Sequence, residues 1–540
     1  MKYKTLSKIM FFSMIFLVIL AGSFFRFWKL SEIPPGIHYD EAYNGLDAVK
    51  TMESGDFKMF YEENNGREGL WMAMIATSFK FFGVSEFTFR MASAIIGSLT
   101  LIGFFFLLKQ LGLAKLSIFI GLSSLSFSFW HLNFSRIVYR GILVPFLLVW
   151  IFYFFYKGLN DKKYGWFWMI GAGAFTGLGL YTYISFRVMP LILIIITAAY
   201  LILQKKSFLK KQWKNALILI FSALIVALPI LYYFITHQND FIGRSNSVSV
   251  FNNQEMSTPQ AISKSLVYHL GAFFVYGDPN QRHNHHALPL IPASWSILLA
   301  IGFALSLKEI VQTFKQKNKT DLFDASLLAQ SIFWVMLIPG VMSIEGIPHA
   351  LRIIGVIPAI FIFMAIPFDY LLRLYRKIGF SKNREKKTWR YSVMGISIIV
   401  ISLVVLINGI VQIVSYFYEW AKDEKTIQSF DRKAYEYGKL IQGINPKKNN
   451  FLIIPDYHYI TADGKESGLK PAELAGYPNI KNFIFRHPTQ SFKEDACENA
   501  LYLFFETDEE TVKNFGEKCP DIQAEKIKLE NGQNEFWLMK

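Results

Sequence analysis

Pro34-Pro35-Gly36-Ile37-His38-Tyr39-Asp40-Glu41-Ala42-Tyr43-Asn44-Gly45 follows closely on an apolar run at 9–28. How this junction is read decides the fold. A helix of about 20 apolar residues crosses the hydrocarbon core of a bilayer. The Pro-Pro-Gly turn then stops the chain just past that helix, and two adjacent carboxylates follow. The segment opens Met1-Lys2-Tyr3-Lys4, as a signal peptide also would. An uncleaved helix is the better reading, because the run is long for a secretory core and Ala21-Gly22-Ser23 continues into Phe24-Phe25-Arg26.

Outward from this junction lie about eleven runs of membrane-spanning length. They fall near 9–28, 87–108, 114–132, 141–156, 164–184, 188–204, 215–235, 287–307, 324–343, 350–372 and 391–417. Composition agrees: of 540 residues, 52% are hydrophobic and 18% charged, against about 25% charged in soluble chains. That excludes a single soluble globule or a disordered chain. With only Cys497 and Cys519, a disulfide framework and a Cys-rich zinc site are excluded as well.

The net charge of +15 tests the map. With Lys2, Lys4 and Lys8 in the cytoplasm, alternate loops fall inside, and every one is basic. They carry Lys109 and Lys115, Lys157 to Lys163, Lys205 to Lys214, Lys308 to Lys319, and Arg373 to Arg390. The positive-inside rule predicts this orientation and supports the helix count. The basic residues are spread over loops and not gathered on one soluble surface, so nucleic acid is excluded as a partner.

The outside then holds a first loop at 29–86, a long loop at 236–286 and a polar tail. In the tail, Phe451-Leu452-Ile453-Ile454-Pro455 and Ala500-Leu501-Tyr502-Leu503-Phe504-Phe505 read as strands. The expected fold is a polytopic α-helical membrane protein with a small extracytoplasmic α/β domain. The expected division is 1–419 in the membrane and 420–540 outside. Cys497 and Cys519 both lie in the tail and could pair on the oxidising side.

The apolar runs contain few ionisable residues, and polar signatures cluster at their outer ends, which favours a reaction at the outer interface over passage across the bilayer. Asp40 and Glu41 are neighbours in sequence, and neighbours on a helix do not face each other. They therefore divide roles: one acts as a general base on a hydroxyl, the other fixes geometry, binds a cation or caps a helix. The alternative is that Asp40 merely caps a helix starting at Glu41. Arg67, Arg136, Arg140, Arg187, Arg282 and Arg352 lie on the outer side against the positive-inside trend. They either grip phosphate oxygens with their forked donors or meet headgroups and acids. His283, His285 and His286, with a carboxylate such as Asp40, could bind a divalent metal; a solvated loop is the alternative. Tyr43, Trp71, Tyr181 and Tyr183 could stack on a sugar or isoprenyl chain or serve as interface anchors.

These residues carry a resemblance. The Asp40-Glu41 pair after the first helix resembles the first-loop motif of the GT-C membrane glycosyltransferases, above all the family 39 group of protein O-mannosyltransferases and lipid A aminoarabinose transferases. Gly66-Arg67-Glu68-Gly69-Leu70-Trp71, Phe81-Phe82-Gly83-Val84-Ser85-Glu86 with Arg90, and His131-Leu132-Asn133-Phe134-Ser135-Arg136 resemble further family segments in order. So do Gly177-Leu178-Gly179-Leu180-Tyr181-Thr182-Tyr183 with Arg187, Gly277-Asp278-Pro279-Asn280-Gln281-Arg282-His283-Asn284, and Pro348-His349-Ala350-Leu351-Arg352. The similarity spans roughly 1–420, and every block falls on the outer side of the charge-derived map.

The resemblance implies transfer of a sugar from a polyprenyl-phosphate donor to an acceptor hydroxyl, with inversion, at the outer face of the cytoplasmic membrane. The acceptor would be a lipid, glycan or protein. Asp40 would be the base, with Glu41 beside it. Arg136, Arg187, Arg140, Arg352 and Arg67 would hold the donor phosphate, and His38, Tyr43, Tyr181, Tyr183, Arg282, His283 and His349 would line the substrate pocket. A phosphate departs as an anion, so the general acid that a glycosidase supplies is not needed. Several relatives carry a second acid in the second outer loop, but 131–140 contains no Asp or Glu. The resemblance therefore does not carry a metal requirement over to this sequence, and a divalent metal stays the one cofactor considered, on the histidines named above. A polyprenyl-lipid transporter or a non-catalytic envelope-assembly factor is the alternative from another class.

Overall fold

The computed structural model describes residues 2–252, 255–379, 384–447, 449–454, 469–486, 497, 499–505, 507, 509–528 and 535–540. In chain order the first helices are α1 (Lys2–Phe27), α2 (Tyr39–Ser54), α3 (Leu70–Phe82), α4 (Glu86–Gln110), α5 (Lys115–Phe127), α6 (Phe129–Phe134), α7 (Leu143–Asn160), α8 (Gly165–Leu178), α9 (Pro190–Gln204) and α10 (Lys206–Thr236). They are followed by α11 (Gln238–Ser247), α12 (Thr258–Gly271), α13 (Ala293–Gln316), α14 (Phe323–Val341), α15 (Ile357–Gly379), α16 (Arg384–Val414), α17 (Glu424–Ser429), α18 (Arg432–Gly443), α19 (Lys470–Ala475) and α20 (Glu509–Lys518). The strands are β1 (Phe60–Tyr61), β2 (Arg67–Glu68), β3 (Asn449–Ile453), β4 (Ile484–Arg486), β5 (Ala500–Phe504), β6 (Ala524–Lys528) and β7 (Glu535–Met539). The chain folds as two compact units. One comprises Met1–Trp28, Phe57–Trp71 and Arg90–Trp420; the other comprises Lys29–Asp56, Met72–Phe89 and Ala421–Lys540.

Among the described residues, 9 helical segments are long and apolar enough to cross a membrane. Nine of the runs read from the sequence fall on them. The other two, near 114–132 and 164–184, fall on α5 and α8, of 13 and 14 residues. The run read from 287 starts as helix only at Ala293, because Pro292 occupies the N-cap and offers no donor to an earlier turn. The long loop at 236–286 contains two helices, α11 and α12.

Apolar side chains gain nothing by leaving lipid for one another, so membrane helices associate by close packing and small residues. α8 shows this against α10. A Cβ at Gly173 would lie 2.2 Å from the Leu219 carbonyl oxygen, and one at Gly177 2.4 Å from that of Ala223. α13 does the same against α15, where a Cβ at Gly302 would meet the Phe363 carbonyl oxygen at 1.8 Å. The first turns of α15 are buried all round, from Ile357 to Phe368. Hence no hydrophobic face is discernible there: every side of that stretch is an inside.

The second unit is built on a five-stranded sheet ordered β4-β3-β5-β7-β6. β3 runs parallel to β4 and β5, and β7 antiparallel to β5 and β6. Side chains alternate between its faces. Leu452, Ile454, Leu501, Leu503 and Phe505 join Tyr437, Ile441 and Ala472 on one side, and Phe451, Ile453, Tyr502 and Phe504 join Val512 and Phe515 on the other. Both faces are covered, so 500–505 reads as a continuous apolar string and not as an alternation. Cys497 and Cys519 form a disulfide on the second side. Pro455, the end of the other strand-like stretch, and Lys382 lie outside the described residues. α19 packs on α18 and on α2, and a Cβ at Gly45 would meet Leu474 at 2.3 Å. The helix that carries Asp40 is thus part of this unit.

Candidate active site

At the N-terminus of α2, Asp40 and Glu41 stand in different surroundings. The N-cap is His38, with extended backbone, and its Nδ1 accepts the Asp40 N–H at 3.1 Å. Glu41 Oε2 accepts the His38 N–H at 3.2 Å and closes a capping box. Glu41 is fully buried, whereas the Asp40 side chain keeps 27% of its exposure. Asp40 is therefore not the cap of a helix starting at Glu41. With Nδ1 accepting an amide proton, the His38 ring proton sits on Nε2. The 3.4 Å approach of Asp40 Oδ2 to Nδ1 is then not an ion pair. Tyr43 is buried in the same unit, with Lys470 Nζ 5.9 Å from its ring centre.

In the first unit, segments far apart in sequence converge on Glu68. Arg140 Nε stands 3.2 Å from Glu68 Oε2, and Arg187 donates to Oε1 at 3.2 Å. Arg140 also donates to the Gly66 carbonyl at 3.2 Å and lies 5.6 Å over the Tyr183 ring. Arg187 donates to the Phe241 carbonyl at 2.6 Å and stacks 4.2 Å from that ring's centre. Two guanidiniums thus meet at one carboxylate. Arg67 is buried next to Glu68, and its Nε donates to the Glu63 carbonyl.

A second cluster forms around Asp278, which is buried at 1% exposure. Its Oδ2 accepts from His283 Nδ1 at 2.9 Å and from the Ala350 N–H at 2.7 Å, while Oδ1 accepts the Asn280 N–H at 2.8 Å. Burial by itself would raise the Asp278 carboxyl, but His283, His349 and the Asn280 amide together outweigh it and hold it below the usual carboxylate range. Burial keeps His349 and His269 down as neutral imidazoles, and the His349 N–H donates to His269 Nε2 at 3.2 Å. Arg352 donates to the Glu345 carbonyl at 2.7 Å and pairs with its carboxylate. Arg282 donates to the Tyr139 hydroxyl at 2.7 Å, next in sequence to Arg140.

Asp278, His283 and His349 offer ligand atoms within 4.8 Å of one another, and His349 Nδ1 is buried with no hydrogen-bond partner. Two imidazoles and a carboxylate suit a divalent cation of the Zn2+ kind, which would supply a fixed positive charge. The histidine group read from the sequence is therefore split. His283 turns to Asp278 and His349, while the rings of His285 and His286 face each other at 4.4 Å.

Other expected site residues have structural work. Arg136, read as a phosphate ligand, is fully buried and donates to the Phe25 and Arg26 carbonyls at 2.7 and 3.1 Å. A cation there satisfies the last carbonyls of α1, and its guanidinium lies 5.0 Å over Phe417. That corrects its assignment. The Tyr181 hydroxyl donates to the Val226 carbonyl at 2.9 Å and accepts the Ile230 N–H at 3.3 Å. It is thereby inserted into the ladder of α10 beside Pro229. Trp71 is fully buried and donates to the Val138 carbonyl, so it is core and not an interface anchor. Conversely, Glu68 and Asp278 were quoted in motifs but given no role. Their signal was faint: each is a lone acid within a few residues of an arginine or histidine.

The arrangement of apolar helices, with charged clusters formed by the segments between them, has solved counterparts. ArnT from Cupriavidus metallidurans bound to undecaprenyl phosphate aligns over 97% of this chain and 97% of its own, with TM-score 0.55 and 11% identity. The chain has a GT-C fold. The apo state of the same ArnT aligns over 99% of this chain and 98% of its own, with TM-score 0.50 and 12% identity. A family model described as dolichyl-phosphate-mannose-protein mannosyltransferase matches residues 70–233 of this GT-C chain, which resembles family 39 and is a multi-pass membrane protein. No curated protein matches it in sequence.

Proposed function

We propose that this GT-C protein transfers a sugar from a polyprenyl-phosphate donor to an acceptor hydroxyl, with inversion. The reaction takes place at the outer face of the cytoplasmic membrane, with the N-terminus inside. The observation that carries the reading is the division of the carboxylate pair: Glu41 is consumed by the helix cap, and Asp40 remains partly exposed at the N-terminus of α2. A carboxylate that stands within reach of an acceptor hydroxyl can take its proton as the new glycosidic bond forms. The undecaprenyl phosphate bound to ArnT supports a donor of that class. Arg140 and Arg187, which already hold a carboxylate in a forked grip, suit its phosphate. In the first unit, Arg67, Arg282 and Arg352 are further candidates to add positive charge, and Tyr183, His283 and His349 are the candidate rings for substrate contact.

The test is mass spectrometry of envelope glycans from cells with and without the gene, and from cells carrying Asp40→Asn. The null strain should lack one sugar modification. Asp40→Asn protein should insert at normal levels and lower the rate of modification at least about 100-fold, the scale of general-base catalysis. Modification at the wild-type rate would remove Asp40 from the reaction.

A further inference from the structure

The tail of the chain grips the segment on either side of Asp40. Within the second unit, the Tyr39 N–H, one residue before Asp40, donates to Asp431 Oδ2 at 3.0 Å. Tyr39 is the first residue of α2, and the first amides of a helix have no partner inside it. Asp431 therefore satisfies a donor that the helix itself cannot. The geometry at Asp431 is unusual. It occupies the N-cap of α18 with left-handed backbone, φ 44°, and its side chain makes no capping hydrogen bond to its own helix. A capping Asp ordinarily accepts from its own second or third helical amide. Here the carboxylate reaches another helix, and a conformation that is uncommon for any residue but glycine is retained.

Two further contacts fix the same helix. A Cβ at Gly36 would lie 2.3 Å from the Phe430 carbonyl oxygen and 3.0 Å from Arg432 Cα, so the chain before α2 rests backbone against backbone on the segment that carries Asp431. At the other end, Glu53 accepts from the Tyr477 hydroxyl at 2.6 Å and from Lys481. α2 is thus clamped at both ends by residues about 400 positions later in the chain.

We infer that Asp431 is a positioning residue for Asp40: by holding the Tyr39 amide it sets where the Asp40 carboxylate stands. The tail is then a brace for the reacting carboxylate, and acceptor choice need not be its role. This inference rests on the reading of Asp40 as the base.

The test uses the full-length protein, purified and added to membranes of the gene-deleted strain, which supply donor and acceptor. The initial rate of sugar incorporation is followed by mass spectrometry. Asp431→Gly removes the carboxylate but suits φ 44°, since glycine adopts positive φ without steric cost. It should melt no earlier than wild type yet lose rate by roughly tenfold to a hundredfold, the scale expected of a misplacement near 1 Å. Asp431→Asn keeps an oxygen for the Tyr39 amide and should stay within about threefold of wild type, since a neutral acceptor replaces a charged one. Amide exchange at Tyr39 and Asp40 should quicken in the Gly variant and not in the Asn variant. Wild-type rate in Asp431→Gly, or equal loss in Gly and Asn, would overturn the inference while Asp40→Asn remains inactive. An active Asp40→Asn would instead overturn the reading of the base.

Discussion

Two acidic regions of this molecule meet the cost of a partly or wholly buried carboxylate in opposite ways. At the N-terminus of α2, Glu41 accepts a backbone amide and sits on the positive end of the helix dipole. In the other unit, Glu68 is held between the side chains of Arg140 and Arg187. The difference lies in what each carboxylate compensates. Glu41 compensates an amide, which is neutral. Glu68 compensates two cations with side-chain exposures of only 14% and 17%.

The same substitution at both sites should therefore give different results. Glu68→Gln leaves two guanidiniums close together without their anion. Breaking a buried pair by losing one partner costs about 3–5 kcal/mol. With partial exposure of both arginines, about 2–3 kcal/mol is expected, read as a fall in thermal midpoint in detergent. Glu41→Gln keeps an acceptor for the His38 amide, and capping boxes accept Gln in this position. Its cost should stay within about 1 kcal/mol. Equal losses at the two sites would show that Glu68 is an ordinary hydrogen-bond acceptor and would end the contrast.

The next test sharpens the arginine side. Undecaprenyl phosphate added to the purified protein should raise its melting temperature through preferential binding to the folded state. Arg187→Ala or Arg140→Ala should weaken that binding at least about tenfold, since one charge-assisted bond is worth about 1.5–3 kcal/mol. Arg136→Lys should lower the midpoint of the free protein, because a fully buried Lys cannot span both carbonyls of α1. Its response to the lipid should be unchanged. If Arg136→Lys loses the lipid response and Arg187→Ala does not, the roles assigned to the two arginines are reversed.

That reversal would also restore the expectation drawn from the sequence, and Arg136 shows where legibility ended. The membrane helices were readable because lipid demands an uninterrupted apolar length; the two that came out short are α5 and α8. The tail strands were readable because both sheet faces are covered. An arginine at the end of a helix, by contrast, looks the same whether it caps carbonyls or grips phosphate. The choice depends on Phe25, Arg26 and Phe417, which are up to about 280 residues away. Asp40 and Glu41 are neighbours in sequence, and the structure places them in different surroundings. Which one would be the cap depended on the backbone entering α2 at His38, which spacing does not specify. Glu68 and Asp278 went unassigned for the same reason as Arg136, since their partners come from other blocks.

Asp278 extends the comparison to a third carboxylate, which faces imidazoles. Zn2+ at ten times its dissociation constant stabilises a binding-competent fold by about 1.4 kcal/mol. Wild-type protein stripped by chelator should regain a higher melting temperature on adding Zn2+, and His349→Ala should not. If wild type also fails to respond, the trio is only a hydrogen-bonded brace for the 277–286 loop.

The smallest effect lies on the surface, at the far end of α2. Glu53 sits near the carbonyl end of the helix, where the dipole disfavours an anion. Donation from Lys481 and then from Tyr477 more than offsets this and holds its carboxyl below the usual range. Burial and the bond to Glu53 push the Tyr477 phenol up to about 12, so alkali leaves the contact intact until very high pH. Acid does not. A carboxyl that is harder to protonate when folded gives stability that is complete above its unfolded value near 4.5 and is lost as the pH falls through the folded one. The side chains of Lys481 and Glu53 are 53% and 40% exposed, so the contribution is at most about 0.5 kcal/mol. Amide exchange in the last turn of α2, corrected for intrinsic rates, should be flat from pH 7 to 5 and quicken below 4. Lys481→Gln should quicken it at neutral pH and flatten the acid response. A change as large as that of Glu68→Gln would mean that this exposed pair is shielded from water after all, and the contrast between amide-held and cation-held carboxylates would need a different cause.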